Sequence, residues 1–276
     1  MNIKGISYYL SLFCFPIGVL SFINILYSSY FDYFLSINSY VTTLIISIII
    51  GSSLFFFGKK SIKRINFFEQ LILIIFVYIL ISLFISLPFY LSNYQVTFLN
   101  SWFESMSGLT GTGFTIFENI KYLDPTLILW RSSSQWIGGL YFLFFLVLIF
   151  SNKKFKFKMT ELTYSNDQNV NSENNIKDLI IKIFILYSVL SFAIFLLLNF
   201  FDVRMFNSLN LSMSLISTGG FLPTNSLNSI IRTNPQKMIF IISLIISMLN
   251  FFLVLNVFEK KTIIRDHRED FYLLTL

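Results

Sequence analysis

The chain has 276 residues, of which 55% are apolar and only 12% charged, and its formal net charge is +6. Soluble domains carry about 25% charged residues, so this composition excludes an ordinary soluble domain and points to a multi-span membrane protein. One cysteine, Cys14, and one histidine, His267, exclude a disulfide framework, a thiolate metal cluster and His-based hydrolytic chemistry.

A bilayer core of about 30 Å takes about 20 apolar residues per helix. Six segments reach that length: 6–27, 39–57, 67–91, 126–150, 176–200 and 236–258. They predict an all-α membrane protein with six transmembrane helices. The 35 Phe residues read as lipid-facing bulk. Of the 20 basic residues, 15 fall on one side: Lys4, Lys59, Lys60, Lys63, Arg64, Lys153, Lys154, Lys156, Lys158, Lys177, Lys182, Lys260, Lys261, Arg265 and Arg268. That clustering fits membrane topology, not nucleic-acid binding, and makes the first side cytoplasmic. Both termini are then cytoplasmic, which agrees with an even number of spans.

Two external connections, 92–125 and 201–235, each hold an apolar, helix-compatible stretch too short to span, at 97–109 and 205–216. These predict re-entrant helices. Each is followed by a turn of small residues, Thr110-Gly111-Thr112-Gly113-Phe114 and Ser217-Thr218-Gly219-Gly220-Phe221. Irregular backbone at membrane depth survives only buried in protein or lining a water-filled cavity. The order span, short helix, turn, span occurs twice, so the chain reads as an internal repeat. A leading hairpin fills 1–60, the first helix–pore loop–helix repeat 61–151, and a polar cytoplasmic linker 152–175. The second repeat fills 176–260. A cytoplasmic tail at 261–276 ends on apolar residues, 271–276, that begin a third repeat.

A pore offsets the cost of dehydrating a cation by surrounding it with oxygen dipoles, and backbone carbonyls serve without adding fixed charge. Glycine permits the φ angles that point successive carbonyls inward. Thr110, Gly111, Thr112, Gly113, Ser217, Thr218, Gly219 and Gly220 are therefore the candidate ion-binding residues. Glu104, in the first short helix, suits a structural hydrogen-bonding role over direct contact with an ion. Arg131, at the outer start of the fourth span, has Glu118 and Asp124 as possible partners, with snorkelling to the interface the commoner outcome. Asn250 and Asn256, in the last span, suit helix–helix hydrogen bonds. Gly138 and Gly139 suit close helix packing. The spans carry no paired Asp, His cluster or Ser/His dyad, so no enzyme is expected.

The string Ser101-Trp-Phe-Glu-Ser-Met-Ser-Gly-Leu-Thr-Gly-Thr-Gly-Phe-Thr115 resembles the first pore loop of the Trk/Ktr/HKT potassium-transporter superfamily. Leu129-Trp-Arg-Ser-Ser-Ser-Gln-Trp-Ile-Gly-Gly139 resembles the start of that family's following helix, and Ser217–Phe221 its second pore loop. Asn250 falls where such proteins often have Asn. The likeness is strongest to the N-terminal half of a bacterial TrkH-type subunit, whose extra hairpin agrees with residues 1–60. It implies a potassium-permeable pore of four repeats, of which this chain holds half, with one filter glycine per repeat, here Gly113 and Gly220. It also implies residence in the cytoplasmic (inner) membrane, transported K⁺ with no cofactor, and a cytoplasmic nucleotide-binding ring subunit as regulator. A complementary half or a second copy of this chain would supply the missing turns, and the unlike character of the repeats favours the complementary half. The contrasting expectation is a non-conducting scaffold or remnant. The chain departs from the family pattern at Gly111, where Thr is commoner, and at Leu222-Pro223-Thr224-Asn225, where a more polar stretch often ends in Asp.

Overall fold

The computed structural model describes residues 1–33, 37–61, 65–150, 173–249 and 251. Among them the fold is all helical: α1 (Ile3–Tyr30), α2 (Ile37–Gly58), α3 (Phe67–Tyr90), α4 (Phe98–Thr110), α5 (Pro125–Phe150), α6 (Glu173–Phe200), α7 (Met205–Ile216) and α8 (Asn234–Met248). Five helices are long and apolar enough to cross a membrane: α1, α2, α3, most of α5, and α6 from Lys177. Where the sixth span is expected the structure has α8, 15 residues long and apolar, and most of 250–258 lies outside the described residues. The two short helices fall where the sequence predicts them.

Local chemistry sets the boundaries. Asn66 and Glu69 form a capping box at the start of α3, and Thr233 and Gln236 form another at the start of α8. Thr97 caps α4, and Asp124 accepts from the Thr126 N–H at 3.1 Å to start α5 at Pro125.

α1 and α2 pack as an antiparallel pair along a seam of small side chains. Ser7, Ser11, Cys14, Gly18 and Ser21 are buried on α1, and Thr43, Ser47, Gly51 and Gly58 on α2. A Cβ added at Gly58 would lie 2.6 Å from the Lys4 carbonyl oxygen and the Tyr8 nitrogen, so the backbones touch there. Small residues permit this approach where lipid supplies no hydrophobic drive for association. The hydroxyls of Ser7, Ser11, Thr43 and Ser47 bond back to their own helices, as Ser11 Oγ does to the Tyr8 carbonyl at 2.6 Å.

Two apolar clusters form the core. One joins α1–α5, the other α5–α8, and Trp136 and Phe144 of α5 pack against both. Polar tips of aromatic residues tie the neighbours to α5. Trp130 Nε1 donates to the Ile85 carbonyl at 3.0 Å, Tyr141 Oη to the Phe13 carbonyl at 2.6 Å, and Trp136 Nε1 to Ser191 Oγ at 2.9 Å. α5 is thus the central post, packed against both clusters.

Candidate functional site: two apposed glycine turns

Each turn closes the C-terminal end of a short helix. Gly111 and Thr112 donate their N–H groups to the carbonyls of Gly108 and Ser107 at 3.1 and 3.0 Å, and Thr218 and Gly219 do the same to Leu215 and Ser214 at 2.8 and 2.9 Å. The backbone then turns left-handed twice per turn: φ is 68° at Gly111 and 78° at Gly113, and 51° at Thr218 and 80° at Gly220. Gly111 and Thr218 therefore occupy the same place in their turns. Glycine at 111 keeps the conformation that a β-branched residue holds under strain at 218, a strain of order 1–3 kcal/mol. The helix ends also present partial negative charge to the turns.

The turns lie side by side. A Cβ at Gly111 would sit 3.5 Å from the Ser217 carbonyl oxygen and 3.8 Å from Gly219 Cα. One at Gly113 would strike the Gly219 carbonyl oxygen. Thr110, Thr112, Thr218 and Gly220 are exposed, whereas Gly219 is buried. Among the described residues nothing donates a hydrogen bond to the carbonyls of Gly111, Thr112, Gly113, Thr218 or Gly220. Three neighbouring carbonyls are occupied: Phe114 accepts from Ser107 Oγ at 2.6 Å, Ser217 from Thr218 Oγ1 at 2.7 Å, and Gly219 from Gln135 Nε2 at 2.5 Å.

Behind the turns is a buried ion pair. Arg131 Nε lies 2.8 Å from Glu104 Oε1, with both side chains essentially inaccessible. Glu104 also accepts from Thr115 Oγ1 at 3.0 Å and from the Ile116 N–H at 2.9 Å. Arg131 reaches Thr115 Oγ1 at 3.0 Å and the Leu222 carbonyl at 3.3 Å, and its guanidinium sits 4.3 Å from the centre of the Phe221 ring. The expectation of a snorkelling Arg131, or one paired with Glu118 or Asp124, is corrected. α5 enters directly behind α4, so the nearest carboxylate is on a different helix 27 residues earlier. With its charge matched and each of its three nitrogens donating a hydrogen bond, the guanidinium stays buried. Glu104 is engaged by Arg131, Thr115 and the Ile116 N–H, all within the protein.

One face of α5 serves both turns. Ser134 packs on Gly108, and Gly138 touches the Leu109 backbone so closely that no Cβ would fit. A Cβ at Gly139 would lie 2.9 Å from Ser217 Cβ. Gln135, whose role sequence reasoning missed, donates to the Gly219 carbonyl and accepts from the Phe221 N–H at 3.0 Å. Its signal was the spacing Arg131, Ser134, Gln135, Gly138, which lines one helical face with polar and small residues inside a span. Further out, Asn225 joins the two loops. Its Oδ1 accepts from the Lys121 N–H and its Nδ2 donates to Asn119 Oδ1, both at 3.1 Å. Asn250 and Asn256 lie outside the described residues.

Comparisons with known proteins agree with this architecture. The TrkH family, described as cation transport proteins, matches residues 36–275. An uncharacterized cation transporter of Methanocaldococcus jannaschii is 28% identical over 229 residues, covering 81% of this chain and 46% of its own. The Trk system potassium uptake protein TrkG of Escherichia coli K12 is 25% identical over 248 residues, covering 84% of this chain and 49% of its own. The crystal structure of the potassium transporter TrkH from Vibrio parahaemolyticus superposes with a TM-score of 0.80 at 20% identity, over 99% of this chain and 55% of that one. The chain spans about half the length of the curated relatives it matches. With the family matching all but the first 35 residues and the last, this multi-pass membrane chain belongs to the TrkH family of cation transport proteins.

Proposed function

We propose that this chain forms one side of a potassium-permeable pore in the cytoplasmic membrane, with the two glycine turns as half of its filter. The observation that carries this reading is the set of five unengaged carbonyls, at Gly111, Thr112, Gly113, Thr218 and Gly220, on two touching turns. Carbonyl dipoles without a donor suit a partly dehydrated cation, and they take it up without a fixed charge that would hold it too tightly. α4 and α7, 13 and 12 residues long, act as re-entrant helices that bring the turns to membrane depth. Arg131 adds no repulsion, because Glu104 neutralises it behind the filter.

The exposed side of the turns faces the ion path, and a complementary pair of repeats closes the ring on the far side. Lipid-exposed irregular backbone is not tolerated at that depth, so such a partner surface is required. The positive-inside rule puts both termini in the cytoplasm, where a nucleotide-binding ring subunit would dock. The test is potassium uptake by the membrane-assembled protein in cells that lack other uptake routes. The expected result is K⁺ uptake that exceeds Na⁺ uptake and is lost in Gly220→Asp, which places a charge among the free carbonyls. Full uptake in that variant would refute the reading.

A further inference from the structure

We propose that Gln135 is a positioning residue that decides which carbonyls of the second turn face the ion, an inference that rests on the potassium reading above. The two turns differ in how their carbonyls are engaged. In the first, three successive carbonyls, Gly111 to Gly113, are free. In the second, free and occupied carbonyls alternate: Ser217 is held by Thr218 Oγ1, Thr218 is free, Gly219 is held by Gln135 Nε2, and Gly220 is free.

The Gln135 amide grips the turn at two points, donating to the Gly219 carbonyl and accepting from the Phe221 N–H. Two opposed hydrogen bonds from one planar group fix the intervening peptide units in rotation as well as position. The Gly219 oxygen is thereby drawn toward α5, into the joint with Gly113. Glycines on both sides of that carbonyl would otherwise let the peptide rotate. Released, the Gly219 carbonyl can swing into the ion path, and the oxygen spacing on this side of the filter then changes. Gln135 is itself fully buried and held on a helix that packs against both turns, so its amide has no water to exchange with. The residue that shapes the second repeat's turn thus comes from the first repeat.

The test compares the native protein with Gln135→Met, which keeps length and volume but makes neither bond, and Gln135→Asn, which is too short to span both. Trp136→Phe, which removes the indole bond to Ser191 and part of the ring packing but neither bond made by Gln135, is the control. K⁺/Na⁺ selectivity is read in cells, and hydrogen exchange at residues 217–222 on purified protein. In Gln135→Met, selectivity should fall about fivefold or more, the equivalent of one ordinary hydrogen bond. Exchange at the Phe221 amide should quicken. If Gln135→Met does not reach the membrane, Gln135→Asn carries the same comparison. Trp136→Phe should lower stability and leave the ratio unchanged. Flux with unchanged selectivity in the Gln135 variants, or exchange at Phe221 as slow as in the native protein, overturns the proposal. A native protein that carries no cation would refute the potassium reading instead. The exchange arm then still decides the brace: quickening confined to 217–222 supports it, and no change overturns it.

Discussion

Gly113 and Gly220 share a left-handed backbone, with φ of 78° and 80°, but not the space around it. At Gly220 the nearest atom to an added Cβ is Gly113 Cα at 4.0 Å, an ordinary contact. At Gly113 the Cβ would run into the Gly219 carbonyl oxygen and come within 3.4 Å of its carbon, and neither can give way without disturbing the grip of Gln135. Holding alanine at positive φ costs roughly 1–2 kcal/mol, and this applies to both positions. Forcing a methyl into a packed joint adds about 1–3 kcal/mol, and this applies only at 113. Gly220→Ala should therefore lose about 1–2 kcal/mol and Gly113→Ala about 2–5 kcal/mol. Reversible unfolding in mixed detergent micelles measures both. Flux should fall further in Gly113→Ala, because the methyl displaces two turns at once. Equal destabilisation of the two variants would refute the close apposition of the turns.

Glu104→Gln leaves the Arg131 charge buried without a counter-charge and should cost about 3–5 kcal/mol, seen as a loss of monodisperse protein on size exclusion. Adding Arg131→Met should recover part of that loss. In the leading hairpin, Gly58→Ala forces the two backbones apart and should sharply lower folded yield. Gly18→Ala, whose Cβ would meet only side chains, the Ser47 hydroxyl at 3.2 Å and Ile48 Cγ1 at 3.6 Å, should be tolerated. Asn225→Ala removes the bonds between the two loops that follow the turns and should quicken hydrogen exchange at residues 118–121 with little change in overall stability.

Five of the expected spans, both short helices and both turns could be read from the sequence, because each depends on local chemistry: apolar length, or a glycine where the chain must turn left-handed. What could not be read was adjacency. Arg131 has Asp124 seven residues before it and Glu118 thirteen before it, yet it bonds to Glu104 because α5 packs against the back of α4. Gln135 was visible as an amide inside a span, but its two partners lie 84 and 86 residues further along the chain. Periodicity says which face of α5 turns inward and not which backbone it meets. The occupied state of the Gly219 carbonyl was hidden for the same reason. Residue type marks a carbonyl as available, and only the packing shows that a side chain has already claimed it.

The central position of α5 also bears on the order in which the molecule is made. Gln135 leaves the ribosome 84 residues before the carbonyl it will hold, which at about 5–20 residues per second is roughly 4–17 s. During that interval α5 is in or near the membrane without α6 and α7. A waiting guanidinium would be costly there, about 2.5–3.5 kcal/mol on insertion scales. But Glu104 is only 27 residues upstream and has already been synthesised, so the charge can be matched between α4 and α5. What waits for the later segment is a neutral amide. The chain thus completes its ionic pairing early and leaves an uncharged template for the turn that arrives last.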